Sequence, residues 1–275
     1  MGLRINTNLA SIAAQRQLVQ SQRKVESNLK QLASGSRFSD PTVGAGDFAI
    51  AERLRGQIKG TRAAQMNADN AISFVQIAEG GLNEQNNILI RMRELSVQGA
   101  SDTFDDQERE LLDMEFKQLR SEVDRIAQTT QFGSHKLLSG DSKSFEFQVG
   151  AYKGEENVIK YESNTNTTAS GLGVSSLSVD DRSEALDSLE SLDSALTTLA
   201  KARANFGAIQ SRLESVVSNA AVQHENLQAA HSRIADTDFA EATSEMFKKQ
   251  ALQQYQVAVL AQANQFPLNV LKLLA

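Results

Sequence analysis

Between Asp181 and Ile234 apolar residues recur at alternating steps of four and three. One slot holds Ala185, Leu192, Leu199, Phe206, Leu213, Ala220, Leu227 and Ile234, at every seventh position. The other runs through Leu189, Leu196 and Val217 and admits Arg203, Gln210, His224 and His231. A heptad seam sustained this long, with no proline inside it, predicts a single helix of about 80 Å at 1.5 Å rise per residue. Such a helix has no core of its own, so the rest of the chain must supply partner helices along its length.

Three other stretches meet that requirement. Apolar or small residues at Leu9, Ile12, Ala13, Leu18, Val19, Val25, Leu29 and Leu32 predict a helix from about Asn8 to Ala33, stopped by Ser34-Gly35-Ser36, with Phe38-Ser39-Asp40-Pro41 forming a turn. A second helix is predicted from Val43–Gly46 to about Gly99. Its better slot is Leu54, Thr61, Ala68, Val75, Leu82, Leu89 and Ser96; its mixed slot contains Ile58, Ile72, Glu79, Asn86 and Arg93. Gly80-Gly81 costs roughly 1 kcal/mol per glycine relative to alanine and predicts a bend there. A third helix, capped by Phe104-Asp105-Asp106, carries the seam Leu112, Phe116, Leu119, Val123 and Ile126 and ends near Thr129–Gln131, after which Phe132-Gly133 turns the chain.

The periodicity then changes. Ser144–Val149 alternates with period two, and Asn157–Tyr161 is a second short strand, so a β-hairpin is predicted around residues 140–165. Ser163 to Ser178, rich in Ser, Thr, Asn and Gly, reads as a surface loop. Asp236-Thr237-Asp238 breaks the long helix. A last amphipathic stretch from Phe239 to about Phe266 leads into the apolar segment Pro267–Leu274. Both ends are strongly apolar and marginal alone, and are expected to stay unfolded until something buries them.

Composition fits a mainly α chain. Of 275 residues 40% are hydrophobic but only 5% aromatic, with two prolines and no tryptophan. The net charge of −6 argues against nucleic acid as a partner. With no cysteine, disulfides and thiolate metal sites are excluded. The first residues lack the apolar core of a secretory signal, and no run of about 18 apolar residues predicts a membrane span.

Nor does catalytic chemistry emerge. His224-Glu225-Asn226-Leu227-Gln228 has glutamine where the HExxH signature places its second histidine. His231 is seven residues from His224, about 10 Å along a helix and too far to share a zinc ion. Gly44 and Gly46 lack the Lys-Ser/Thr of a phosphate loop, and the carboxylates interleave with Arg and Lys as on a solvated helix face. Asn166-Thr167-Thr168 matches a glycosylation sequon that arises often by chance. No cofactor, metal or enzymatic activity is expected.

Several motifs, in order, carry a resemblance. Leu3-Arg4-Ile5-Asn6-Thr7-Asn8, Leu32-Ala33-Ser34-Gly35-Ser36-Arg37, Ile90–Gln98 and Thr130-Gln131-Phe132-Gly133 resemble the N-terminal part of bacterial flagellins. Ser232–Phe239 and Val259–Asn264, with Pro267, Val270 and Leu273-Leu274, resemble their C-terminal part. The departure is Ser39–Gly44, where the family has an Asp- and Ala-rich segment.

The resemblance implies a hairpin-shaped protomer of long antiparallel helices, in a minimal form without large outer domains. Residues 1–42 and 235–275 would form the terminal coiled coil of an inner tube, with Ile5, Leu9, Ile12, Val259, Leu260 and Phe266 in it. Residues 43–234 would form the rod of the outer wall, with Leu192, Leu199, Phe206, Leu213, Leu227 and Ile234 as its assembly seam. It implies a secreted structural subunit that polymerises with itself into the flagellar filament. It also implies type III export, a chaperone, cap and junction proteins as partners, and no membrane insertion. The alternatives are a hook–filament junction protein and a generic secreted coiled-coil scaffold. By the same resemblance Arg91, Leu95 and Glu115 would form an axial subunit contact that an animal Toll-like receptor also reads.

Overall fold

The computed structural model describes residues 7–39, 44–141, 143–163 and 165–274, with side chains to residue 265 except at 143, 162 and 163. Ile5, the Asp40-Pro41 turn and the Phe266 side chain therefore lie outside the described residues. Chain order is α1 (Leu9–Ser34), α2 (Ala45–Gly99), α3 (Asp106–Thr129), β1 (Gln131–Phe132), β2 (His135–Lys136), β3 (Lys143–Gln148), a 3-10 turn (Glu155–Asn157), β4 (Val158–Ser163), α4 (Arg182–Ala235) and α5 (Phe239–Leu274). The chain divides into two compact units: residues 58–225, and residues up to 57 together with those from 226 onward.

In the unit of residues 58–225, Thr61, Ala68, Val75, Leu82, Leu89 and Ser96 of α2 are all buried, as the first slot requires. So are Ala185, Leu192, Leu199, Phe206, Leu213 and Ala220 of α4. The second slot differs from the sequence expectation in both helices. Ala64, Ala71, Ala78, Gln85 and Met92 are buried in α2, and Ser188, Ala195 and Ala202 in α4. The expected Leu189, Leu196 and Arg203, and Ile72, Glu79 and Asn86, are only half-buried, and Arg93 is exposed. Small residues let the backbones approach, and the bulkier neighbours one position on cover the flanks of the contact.

The expected bend at Gly80-Gly81 is absent, and α2 runs unbroken. A Cβ on Gly81 would stand 2.7 Å from Thr130 Oγ1 and 2.9 Å from Leu138 Cδ1. This glycine therefore admits a close neighbour rather than breaking the helix. Asp105 caps α3 in a reciprocal box with Glu108. Arg109, buried, donates Nε to Gly99 O at 3.0 Å and Nη2 to Ser101 O at 3.0 Å, satisfying carbonyls at the end of α2.

The expected hairpin forms. β3 and β4 pair antiparallel with Phe145 opposite Tyr161 and Phe147 opposite Ile159. Much of the chain's small aromatic content gathers here: Phe74 meets Phe132, Phe145, Phe147 and Tyr161, and Tyr161 meets Phe206 at 5.0 Å. The cluster docks the strands onto α2 and α4. A smaller hairpin, β1–β2, turns at Gly133 (φ 61°), where the sequence showed the turn but not the strands.

The Ser/Thr-rich stretch expected to be a surface loop is anchored in the core at spaced positions. Thr167, Ala169, Leu172, Val174 and Val179 are buried. Buried Gln85 donates Nε2 to Val123 O (3.0 Å) and to Thr167 O (3.1 Å), and the Ala169 amide donates to Asp124 at 2.7 Å. Polar side chains here replace the backbone partners that a strand or helix would supply.

In the terminal unit, α1 begins at Asn8, whose side chain accepts from the Ser11 amide, and ends at Gly35 in the left-handed conformation (φ 69°). α5 starts where Asp238 accepts from the amides of Ala240 and Glu241. It continues past Pro267 to Leu274 instead of ending near Phe266. One proline removes one donor from this 36-residue helix without terminating it.

Candidate functional site

The terminal helices form the surface that demands explanation. α1 and α5 pair antiparallel, clipped at one end by Asn8 Nδ2 to Ala263 O (2.7 Å) and Ser11 Oγ to Asn264 Oδ1 (2.8 Å). The enclosed face of α1 follows a three–four rhythm through Ser11, Ala14, Leu18, Ser21, Val25, Asn28 and Leu32. That of α5 follows Ala242, Met246, Lys249, Gln253, Gln256, Leu260 and Ala263.

Much of the apolar material is on the outside. Leu9 is 63% exposed and Tyr255 68%; Ile12, Val19, Leu29, Phe239, Phe247, Leu252, Val257 and Val259 are exposed too. The residues expected in the terminal coiled coil divide between the two faces. Leu260 lies in the pair, but Leu9, Ile12 and Val259 point away from it. Apolar residues in α1 outnumber the places on its inner face, and periodicity could not show which would be enclosed.

Two stretches that carried the resemblance meet in this unit. Ser36 pairs with Asp236 as an antiparallel bridge; the Arg37 amide donates to Ala235 O (2.8 Å) and the Thr237 amide to Gly35 O (2.9 Å). The left-handed Gly35 turns the chain into this pairing. Beside it lies a cleft of about 400 Å³ walled by Asn28, Arg37, Phe38, Arg233, Asp236 and Glu241 among others. The resemblance put both segments in one terminal coiled coil, but nothing in the sequence marked this bridge between them.

Other expected site residues part company. Leu192, Leu199, Phe206 and Leu213 of the expected assembly seam have no exposed surface and pack into the chain's own core. Leu227 and Ile234, in the terminal unit, stay half-exposed. Arg91 and Glu115 come together, Nε to Oε1 at 2.8 Å, with Glu94 on the same guanidinium at 3.0 Å. Glu115 and then Glu94 raise the Arg91 pKa. Leu95 is 0% exposed and turns inward, so it does not share their surface. Four residues advance a helix about 40° past a full turn, enough to separate a surface arginine from a core leucine.

Asp113, nearly enclosed, is a further charged focus. Burial pushes its pKa up, but Lys117, the Val179 amide (3.2 Å) and Ser178 Oγ (2.9 Å) outweigh that and hold it below 3.8. Among the described residues no group of three or more His, Cys, Asp or Glu is placed to hold a metal ion, and no helix is long and apolar enough to cross a membrane.

Comparison with known proteins agrees with this picture. Residues 5–143 match the model of the bacterial flagellin N-terminal helical region, and residues 189–274 that of the C-terminal helical region. The chain is 38% identical to a flagellar filament 30.7 kDa core protein of Treponema maltophilum and 37% identical to a flagellin of Halalkalibacterium halodurans. Each alignment covers 98% of this chain and 99% of the relative. Among solved structures, Bacillus cereus flagellin matches with a TM-score of 0.51 and 28% identity, over 60% of this chain and 94% of the other. A putative flagellar hook-associated protein from Vibrio parahaemolyticus matches with a TM-score of 0.60 over 70% of this chain and 100% of that one; at 15% identity this likeness is one of fold.

Proposed function

The chain belongs to the bacterial flagellin family as a structural subunit of the flagellar filament, and we propose that it polymerises by laying the outward apolar faces of α1 and α5 against those of neighbouring copies. The observation that supports this is the exposure of Leu9, Val19, Phe247, Tyr255 and Val257 on helices already paired through their other faces. Apolar surface of this extent on a free subunit is unfavourable in water and is relieved by burial. Folding of the terminal pair would then be completed by assembly, as expected when a partner binds only the folded form. The half-exposed Leu227 and Ile234 would extend the same contact.

The finer relations follow from family membership. The subunit would be exported by the type III route under an export chaperone. It would assemble outside the cell beneath a cap and above junction proteins. The exposed Arg91–Glu115 pair would contribute to contacts along the filament, and to a Toll-like receptor if one reads this chain, without help from the enclosed Leu95. A hook–filament junction role would instead require growth to stop after one layer.

Purified protein seeded with short filament fragments in a kosmotropic salt, which strengthens apolar burial, tests the proposal by electron microscopy. Long tubes are the expected result. Persistent monomer, or a single added layer, would overturn it.

A further inference from the structure

The cleft beside the Ser36–Asp236 bridge has no part in the apolar contacts proposed above. Its wall carries four carboxylates, Asp236, Asp238, Glu241 and Glu245, against two guanidiniums, Arg37 and Arg233. One of these two is drawn off: Arg37 stands 4.0 Å from Asp47, which is not on the wall, and 5.9 Å over the Phe38 ring. Asp238 caps α5, whereas Glu241 and Glu245, four residues apart on one face of that helix, are exposed. Among the described residues neither glutamate is in an ion pair.

Two polar atoms of the wall are enclosed without a hydrogen-bond partner: Oγ1 of Thr237, a residue only 9% exposed, and Nδ2 of Asn28. Unmet polar atoms on a formed cleft call for a polar guest. The surplus of carboxylates makes that guest a cation. Their spacing decides its shape, because among the described residues no three such groups converge to hold a metal ion. A guanidinium, with five donors in a planar fork, spans separated acceptors that a compact ion does not. The Thr237 hydroxyl can accept one of its N–H groups, and a half-turn of the Asn28 amide offers a second acceptor.

The chain carries such cations itself. Along α1, Arg16, Arg23 and Lys30 stand exposed at every seventh position, with Lys24 beside them and Glu26 as the one acidic residue of the helix. Among the described residues none of these four cations is in an ion pair. Arg16 precedes Asn28 by twelve residues on the same helix, about 18 Å along its axis, so it does not reach its own cleft.

We infer that the cleft is a socket for an arginine of this stripe from a second copy of the chain, an ionic key that fixes the register in which copies meet. Apolar faces attract without preferring one alignment along the helix axis. Complementary charge selects one alignment and penalises those that set like charges together. The inference rests on the polymerisation proposed above and adds the contact that sets its register.

Charge reversal tests it in seeded elongation of the full chain at low ionic strength, followed by light scattering. The socket variant is Glu241→Lys with Glu245→Lys; the stripe variant is Arg16→Glu with Arg23→Glu. Each alone sets like charges against each other and should elongate about tenfold slower than wild type or worse. An equimolar mixture pairs basic sockets with acidic stripes and acidic sockets with basic stripes, and should recover most of the wild-type rate. So should one chain carrying all four substitutions. Raising NaCl from about 50 to about 500 mM should slow the wild type severalfold but change little in Glu241→Gln with Glu245→Gln, because salt screens ion pairs. Reversed variants that elongate like wild type would overturn the inference. So would a mixture that grows no faster than its components, since the substitutions would then be merely disruptive. A wild type that fails to elongate on seeds would refute polymerisation itself, whereas a growing wild type without rescue refutes the key alone.

Discussion

Adjacent glycines in the middle of α2 should respond to alanine with opposite signs. An alanine at either position removes the backbone-entropy penalty of glycine in a helix, a gain of about 1 kcal/mol. At Gly80 a Cβ meets nothing within 4 Å, so Gly80→Ala should realise that gain. At Gly81 the new methyl would stand 2.7 Å from Thr130 Oγ1 and 2.9 Å from Leu138 Cδ1. Neither neighbour yields easily: Thr130 donates that hydroxyl to Ile126 O at 2.8 Å, and Leu138 is fully buried. Overpacking of this kind costs about 1–3 kcal/mol, which cancels or exceeds the helical gain. Thermal unfolding followed by circular dichroism should show Gly80→Ala raising Tm by about 2–4 °C. Gly81→Ala should leave Tm unchanged or lower it by a few degrees. If both variants raise Tm equally, the close approach at Gly81 is refuted, and with it the packing reason for the unbroken helix.

Other perturbations separate stability from assembly. Val19→Ser with Val257→Ser, at exposed sites, should leave the monomer's Tm within about 1–2 °C yet slow seeded elongation severalfold, read by light scattering. Gln85→Met removes the donor for two buried carbonyls and should cost about 2–4 kcal/mol, with hydrogen exchange rising first across residues 165–174. The depressed pKa of Asp113 gives stability that is full above its unfolded value and lost as pH falls through the lower folded one. Asp113→Asn should therefore destabilise at neutral pH and reduce the loss of Tm below about pH 4, measured by thermal melts across pH. Arg91→Ala breaks an exposed pair and should leave Tm nearly unchanged, so a marked effect on filament growth would identify it as a contact residue.

Much of this architecture was legible in the residues. Within residues 58–225 every seventh position of α2 and α4 marked a buried slot, Asp105 announced the cap of α3, and period-two alternation marked β3 with a second short strand, β4, after it. What escaped was set by packing between distant segments. Seam periodicity could not tell Ala195 from Leu196, because the choice depends on how closely a partner backbone approaches. Gly81 resembled a break because its reason lies in Thr130 and Leu138. The 165–179 stretch looked solvated because its buried residues are few and spaced among Ser and Thr, and its backbone is satisfied by Gln85 and Asp124. In the terminal pair apolar residues were plain, but their outward direction was not: a lone helix that expects several neighbours has more than one apolar face. The meeting of Gly35–Arg37 with Ala235–Thr237 left no periodic signal at all.

Hydrogen–deuterium exchange on the free subunit and on the assembled filament tests the central claim most directly. Amides of α1 and α5 should exchange rapidly in the free subunit and become strongly protected in the filament, while the core of residues 58–225 stays protected in both. Equal protection of α1 and α5 in the two states would contradict the account, because the terminal pair would then be folded before any neighbour covers it.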